Sequence, residues 1–269
     1  MCRMLGIVVS EPTDFRLSLH EAPRSLCSLS REHPHGWGVA VHDSRAATWT
    51  VSKQPACALD DSRFVEVAAG SVGESLVAHI RKRTVGPIGL ENTHPFRRGR
   101  WVFAHNGTIR DIDALRAKTS TAHLASTAGS TDSEVFFAYL LTRMDEVGGA
   151  EEAKPEPIEA TLAHAVREIV ADPTFGPCNF LLSNGEDLYA LRLGRTLWSL
   201  KREPGDDVRV KRRSEETGVV IETPWTRKRR AILLASESIT DEPWEQIEEG
   251  TLLRVRRRPT PTLEAIPTR

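Results

Sequence analysis

The chain has 269 residues, 39% of them hydrophobic and 27% charged, with 36 Lys and Arg against 37 Asp and Glu for a formal net charge of -1. That balance gives no overall field to draw the chain onto nucleic acid or an anionic membrane, and no stretch approaches the roughly 20 apolar residues of a membrane span. The N-terminal residues lack the pattern of a signal peptide, so a cytoplasmic protein with a small-molecule partner is expected, folded as one domain over 1–269.

In chain order, the first expected element is a strand over 3–9, ended by a Ser10-Glu11-Pro12-Thr13 turn and followed by one amphipathic helix over 15–29. Two antiparallel strands, 36–42 and 48–51, bracket the polar turn His42-Asp43-Ser44-Arg45. A short helix over 62–69 precedes β-rich runs at 75–81 and 101–105. The Ser/Thr/Ala-rich stretch 118–130 reads as a mobile loop, closing in Thr131-Asp132-Ser133-Glu134, whose spacing resembles a helix cap ahead of an apolar helix. After a polar gap over 148–155, a helix spans 158–170, and strands follow at 179–183, 188–193, 197–201, 231–236 and 252–256. Strands, then two helices, then strands describe an α+β protein whose sheets cover each other. No GxGxxG follows a strand and no GxxxxGK[ST] occurs, so a nucleotide-binding sheet is not supported.

Four cysteines, Cys2, Cys27, Cys57 and Cys178, form no CxxC pair, and no metal or cofactor is expected. Cys2 differs from the others by position. Removal of Met1 would leave a thiol and a free α-amine on one residue, the amine with a pKa of about 8 being a suitable base for the thiol. Taken alone, a cysteine at position two is more often a small buried hydrophobe. Asn106 and Gly107 follow a strand and could offer a side-chain amide and a backbone N–H to a developing oxyanion, although Asn-Gly is also a common turn pair. Arg81 closes a strand and could grip a carboxylate with its planar guanidinium, or it is a solvated strand end. Asp132 could accept from a substrate ammonium, cap a helix, or do both. An arginine for a carboxylate, an aspartate for an amine and a thiol for a distal amide together describe recognition of an amino acid at its head and reaction at its tail.

Six segments in order, Met1-Cys2-Arg3-Met4-Leu5-Gly6, His35-Gly36-Trp37-Gly38-Val39-Ala40, Ala78-His79-Ile80-Arg81, Glu91-Asn92-Thr93-His94-Pro95-Phe96, Phe103-Ala104-His105-Asn106-Gly107 and Thr131-Asp132-Ser133-Glu134, resemble the class II, N-terminal-nucleophile glutamine amidotransferases of the stand-alone type. A late segment, Ala235-Ser236-Glu237-Ser238-Ile239-Thr240-Asp241-Glu242-Pro243-Trp244, is similar to the family's C-terminal part. The resemblance implies a four-layer αββα sandwich of two antiparallel sheets, the N-terminal nucleophile hydrolase fold. It also implies that Cys2 is nucleophile and base, Asn106 and Gly107 the oxyanion hole, Arg81 the α-carboxylate clamp and Asp132 the α-ammonium site. His94 would line the glutamine pocket and Trp37 would pack beside the nucleophile, core packing being the alternative for both. The stretch 119–130 would lie at the pocket mouth as a lid.

No ammonia-accepting segment is recognised, so ammonia would pass to a separate enzyme, or the chain would simply hydrolyse an amide. Glutamine and γ-glutamyl peptides or thiol-metabolite precursors are the substrate classes implied. A catalytically silent glutamine-sensing subunit is the reading from a different class, disfavoured because no motif is broken. His33 and His35 lack the further ligands of a metal site and read as surface or pocket-edge residues. The basic runs at 211–213, 227–230 and 254–258 lack interleaved aromatics and read as solvated faces.

Overall fold

The computed structural model describes residues 2–148, 155–172, 175–204, 212–213, 220–221 and 229–268. Met1, most of the polar gap expected over 148–155, and parts of the basic runs at 211–213 and 227–230 lie outside the described residues.

The first sheet holds β1 (Arg3–Asp14), β2 (Trp37–Asp43), β3 (Thr48–Gln54), β4 (Val72–Ile80), β9 (Trp198–Arg202), β12 (Ala231–Ala235) and β13 (Glu245–Gln246), in the order β13-β9-β12-β1-β4-β2-β3. The second holds β5 (Phe96–Arg98), β6 (Trp101–Gly107), β7 (Cys178–Ser183), β8 (Asp187–Leu191), β14 (Leu252–Arg256) and β15 (Thr262–Ile266), in the order β15-β14-β8-β7-β6-β5. A short pair, β10 (Arg212–Arg213) and β11 (Val220–Ile221), stands apart from both. Every paired neighbour is antiparallel.

Three apolar cores define the layers. Because side chains alternate across a strand, β1 sends Leu5, Ile7 and Val9 into one core and Met4 and Val8 into another. The Met4 side meets Val102, Ala104, Leu181 and Leu188 of the second sheet, so this is the core between the sheets. On the Leu5 side lie α1 (Leu26–Leu29) and α2 (Ser62–Gly70), with Phe64 and Ala68 of α2 in the same cluster. The second sheet turns Trp101, Phe103, Phe180 and Tyr189 outward onto α5 (Asp132–Asp145) and α6 (Pro155–Ala171). The result is helix, sheet, sheet, helix, the expected αββα arrangement. Arg254 of β14, only 3% exposed, pairs with Asp187 of β8 at 2.9 Å and with Glu159 of α6, tying the outer helix to the sheet.

Four local expectations are corrected, the first being the basic run at 254–258, expected as a solvated face, which buries Arg254 and Arg257 in ion pairs with Asp187 and Glu186. The first strand does not stop at the Ser10-Glu11-Pro12-Thr13 turn; β1 continues to Asp14, its register against β4 shifting between Val8 and Thr13. The single helix expected over 15–29 is a π-helical turn, Leu17–Glu21, and then α1. The break falls at Ala22, extended at φ -64° and ψ 149°, as the residue before Pro23 is sterically driven to be. The stretch read as a mobile loop contains α4 (Thr121–Ala125), after α3 (Ile112–Ala117); Ser120 caps α4 by accepting from His123 N at 3.2 Å.

Candidate active site

The two sheets pack face to face, with β1 and β4 of the first in contact with β6 of the second. Cys2 precedes β1 with the parity of Met4, which directs it between the sheets. Its Sγ accepts from Lys82 N at 3.3 Å and lies 3.5 Å from Lys82 O, so the sulfur is held against the chain just beyond Arg81. Burial pushes the Cys2 thiol up, while the Lys82 N–H and the charges of Arg81 and Arg3 pull it back in part. A thiol raised in this way requires a base beside it to become a nucleophile near neutral pH.

Arg81 follows β4 and is 3% exposed. Its main chain is fixed to the loop before β2, donating to Gly36 O at 2.7 Å and accepting from His35 N at 3.0 Å. The guanidinium is cradled by carbonyls of the following loop, Nη1 donating to Pro87 O at 3.0 Å and Nη2 to Val85 O at 2.8 Å. Burial lowers its pKa, whereas Cys2 and Asp132 are near enough to favour its charge.

Asn106 and Gly107 end β6, the strand of the second sheet in contact with β1 and β4. Asn106 shares the parity of Val102 and Ala104 and therefore faces the inter-sheet core. Gly107 has no room for a side chain, since a Cβ there would come within 1.9 Å of Pro177 O. Behind them Asn179 of β7 pairs with Asn106, donates from Nδ2 to Arg195 O and Thr196 O at 3.1 and 3.2 Å, and accepts at Oδ1 from Leu193 N at 2.7 Å.

Asp132 opens α5, and Oδ2 accepts from Ile109 N at 2.7 Å, reaching back to the turn after Gly107. The expected cap is arranged differently: Thr131 makes no side-chain capping bond, and Glu134 turns back to accept from Ala128 N at 2.9 Å and Gly129 N at 2.6 Å. Arg98 donates to Glu134 at 2.6 Å, and Ser130 N donates to Asn92 Oδ1 at 2.8 Å. Ser130 is thus pinned, through Asn92, to the loop that cradles Arg81, since Asn92 Nδ2 donates to Pro87 O at 3.2 Å.

His94 is buried, its ring 4.3 Å from that of His79 and 4.5 Å from that of Phe96. Burial lowers His79 to about 3, His33 to about 4, and His94 well below its ordinary range. His105, lowered to about 4 by burial, bonds through Nδ1 to Ser133 Oγ at 2.9 Å on the helix side of β6. These rings are neutral at physiological pH. His33, read from sequence as a surface or pocket-edge residue, is 2% exposed.

Trp37 is the site residue that the structure places elsewhere. It belongs to the helix-side core, edge-on to Phe64 at 5.1 Å, with Nε1 donating to Asp61 Oδ2 at 2.8 Å. Its strand neighbour Gly38 faces the inner side instead, where a Cβ would come within 2.0 Å of His94 O. Asn179 and His79 escaped the sequence reading as site residues. His79 was visible only as part of a motif, and nothing in the sequence marks Asn179.

Among the described residues no group of three or more His, Cys, Asp and Glu side chains is arranged to hold a metal ion, and no helix is long and apolar enough to cross a membrane. A model of the family described as class II glutamine amidotransferases matches residues 1–267. The chain belongs to the class II glutamine amidotransferases.

Relatives within and around this family differ in what their names describe. A protein of Haemophilus influenzae named as a glutamine amidotransferase is 31% identical over 195 residues, 71% of this chain and 62% of its own length. The chain therefore spans somewhat less than two thirds of that relative. The γ-glutamyl-hercynylcysteine sulfoxide hydrolase of Mycobacterium tuberculosis is 28% identical over 218 residues, 76% of this chain and 82% of that protein. Among solved structures, a predicted glutamine amidotransferase from Pseudomonas aeruginosa aligns with a TM-score of 0.63 at 24% identity, covering 93% of this chain and 96% of that one. The Bacillus subtilis glutamine phosphoribosylpyrophosphate amidotransferase aligns with a TM-score of 0.59 at 18% identity, covering 99% of this chain and 50% of that one. At these identities the structural matches establish the shared fold.

Proposed function

We propose that residues 1–269 form one glutamine amidotransferase domain that cleaves the side-chain amide of glutamine through a γ-glutamyl thioester on Cys2, releasing ammonia. The observation that carries this reading is the seat of the Cys2 sulfur, against Lys82 N–H at 3.3 Å and beside the buried Arg81, at the seam where β1 and β4 meet β6.

In this mechanism, with Met1 removed, the Cys2 α-amine takes the thiol proton and the sulfur attacks the carboxamide carbon. The Asn106 side-chain amide and Gly107 N–H receive the oxyanion. The C–N bond breaks as the ammonium of Cys2 returns its proton to the leaving nitrogen, and ammonia departs. Water then adds to the thioester, its proton passing through the same amine, and glutamate leaves with the Cys2 thiol restored. Arg81 holds the α-carboxylate and Asp132, through the oxygen not used by Ile109, the α-ammonium. The neutral His94 and His79 line the pocket without adding charge. Ammonia passes to a separate acceptor or to solvent.

A second reading is hydrolysis of a larger γ-glutamyl amide, as in a γ-glutamyl peptide or thiol-metabolite precursor. It is favoured by the match to the Mycobacterium tuberculosis hydrolase over 82% of that protein. The chemistry at Cys2 is the same and the leaving amine is bulkier.

Treatment with a diazoketone analogue of glutamine, followed by intact-mass and peptide analysis, tests both. Wild type should gain one adduct on Cys2, with Met1 absent, and Cys2→Ala should take up none and lose amidase activity. An adduct on another residue, or full turnover by Cys2→Ala or by protein retaining Met1, would overturn the mechanism.

A further inference from the structure

The late segment around Ala235, Ser236 and Glu237 has no part in the chemistry above, yet it is bonded to the nucleophile's strand. Ser236 N donates to Met4 O at 3.1 Å, and Met4 N donates to Ser236 Oγ at 2.9 Å. Ser236 O accepts from Thr196 Oγ1 at 2.8 Å, and Thr196 O accepts from Asn179, the residue paired with Asn106. One segment therefore touches both the strand that begins after Cys2 and the turn that backs the Asn106-Gly107 corner.

The next side chain completes the link. The Glu237 carboxylate receives Arg3 Nε on one oxygen and Arg24 Nη2 on the other. Arg3 Nη1 donates to Cys2 O at 3.2 Å. A single guanidinium thus spans the Glu237 carboxylate and the Cys2 carbonyl. Fixing that carbonyl fixes the peptide plane between Cys2 and Arg3, and with it the position of the Cys2 Cα from which the thiol and the α-amine project. Glu237 and Arg3 are 18% and 22% exposed at the side chain, so the pair is mostly shielded; Arg24 is 56% exposed, and its ion pair is solvent-screened. His33, buried with neither ring nitrogen hydrogen-bonded, lies in the field of the same Arg3 and Glu237 charges.

We propose that Glu237 is a positioning residue for the nucleophile, acting through the Arg3 guanidinium on the main chain of Cys2. This rests on the reading of Cys2 as nucleophile. Glu237 touches neither substrate nor reacting atoms; it holds in place the Cα that carries the thiol and amine, relative to the Asn106-Gly107 corner, to which the adjoining Ser236 is tied through Thr196 and Asn179.

The test uses the full chain and the diazoketone analogue, with the maximal inactivation rate and the half-saturating concentration measured separately, beside kcat and KM for glutamine. A misplaced nucleophile slows the covalent step and leaves binding alone, so Glu237→Gln should lower the inactivation rate and kcat by about thirtyfold, with half-saturation and KM within about twofold. Glu237→Asp, which keeps the charge, should recover most of the rate. Arg3→Gln should match Glu237→Gln, and the double variant should be no slower than either, since both break one link. Arg24→Gln should stay within about twofold of wild type. A wild-type rate in Glu237→Gln, additive losses in the double variant, or rate losses that follow thermal stability equally in Arg24→Gln would overturn the proposal. Cys2→Ala separates the two ideas: labelling or turnover in that variant would remove the nucleophile assignment itself, whereas an inert Cys2→Ala beside a fully active Glu237→Gln would remove the positioning role alone.

Discussion

The guanidinium of Arg81 spends one N–H of each terminal nitrogen on the carbonyls of Val85 and Pro87, leaving further donors for a ligand. This matters because a buried arginine held by neutral carbonyls is positioned without being neutralised, and its charge remains for an incoming carboxylate. Burial disfavours the charge, Cys2 and Asp132 restore it in part, and a bound carboxylate would complete its compensation. In its proposed role the guanidinium would grip ground state and transition state alike, so Arg81→Ala should raise KM for glutamine by about one to two orders of magnitude and lower kcat by much less. Arg81→Lys should recover little, because an ammonium does not reproduce the planar fork. Steady-state kinetics on the two variants would check this, and an unchanged KM in Arg81→Ala would remove the residue from the site.

At the scale of elements, β2 shows how the site depends on a strand packed on both faces. Trp37, Val39 and Val41 face the helix-side core, while Gly38 allows the carbonyl of His94 to come where a Cβ would be, at 2.0 Å. Gly38→Ala should therefore cost about 2 kcal/mol or more by overpacking against main chain, measured by urea unfolding. Gly70→Ala, at the end of α2 where nothing lies within 4 Å of an added Cβ, should be neutral or stabilising by up to about 1 kcal/mol. Equal effects of the two would mean that the His94 segment yields freely. The same double burial explains what the sequence concealed. Cys2, Arg81, Asn106 and Asp132 were legible as candidates because each places a distinctive group next to the end or start of an element. The face occupied by Trp37 was not, since a strand apolar on both sides loses the alternation that separates inside from outside. The helix expected over 15–29 failed at Ala22, where Pro23 outweighs the apolar periodicity, and the loop over 118–130 concealed α4 because Ser and Thr supply caps as readily as turns. Asn179 and Glu237 act through partners remote in the chain, which local patterns do not encode.

Taken as a whole, the molecule carries four of its five buried imidazoles, all but His42, toward the end of the sandwich where β4 runs into Arg81. His33, His79 and His94 lie on or against the first sheet, His105 belongs to the second, and His105 disfavours charge on both His79 and His94. All four are lowered, to about 4 for His33 and His105, about 3 for His79 and well below the ordinary value for His94, with burial the leading cause in each. In the unfolded chain the same rings titrate near ~6.5. Above that pH both states are neutral and the fold loses nothing; as pH falls, the unfolded chain takes up protons that the fold refuses, and stability declines until the folded values near 4 and 3 are reached. Each such ring steepens the dependence by about 1.4 kcal/mol per pH unit between its two pKa values. The free energy of unfolding should therefore fall between pH 6 and pH 5, before most carboxylates titrate. His33→Gln and His79→Gln should each make that slope shallower by about 1.4 kcal/mol per unit, whatever they do to stability at pH 7.5. Urea unfolding at half-unit pH intervals measures the slope directly. An unaltered slope in both variants would mean that these rings accept protons in the folded state, and that charge can enter the seam between the sheets without opening it.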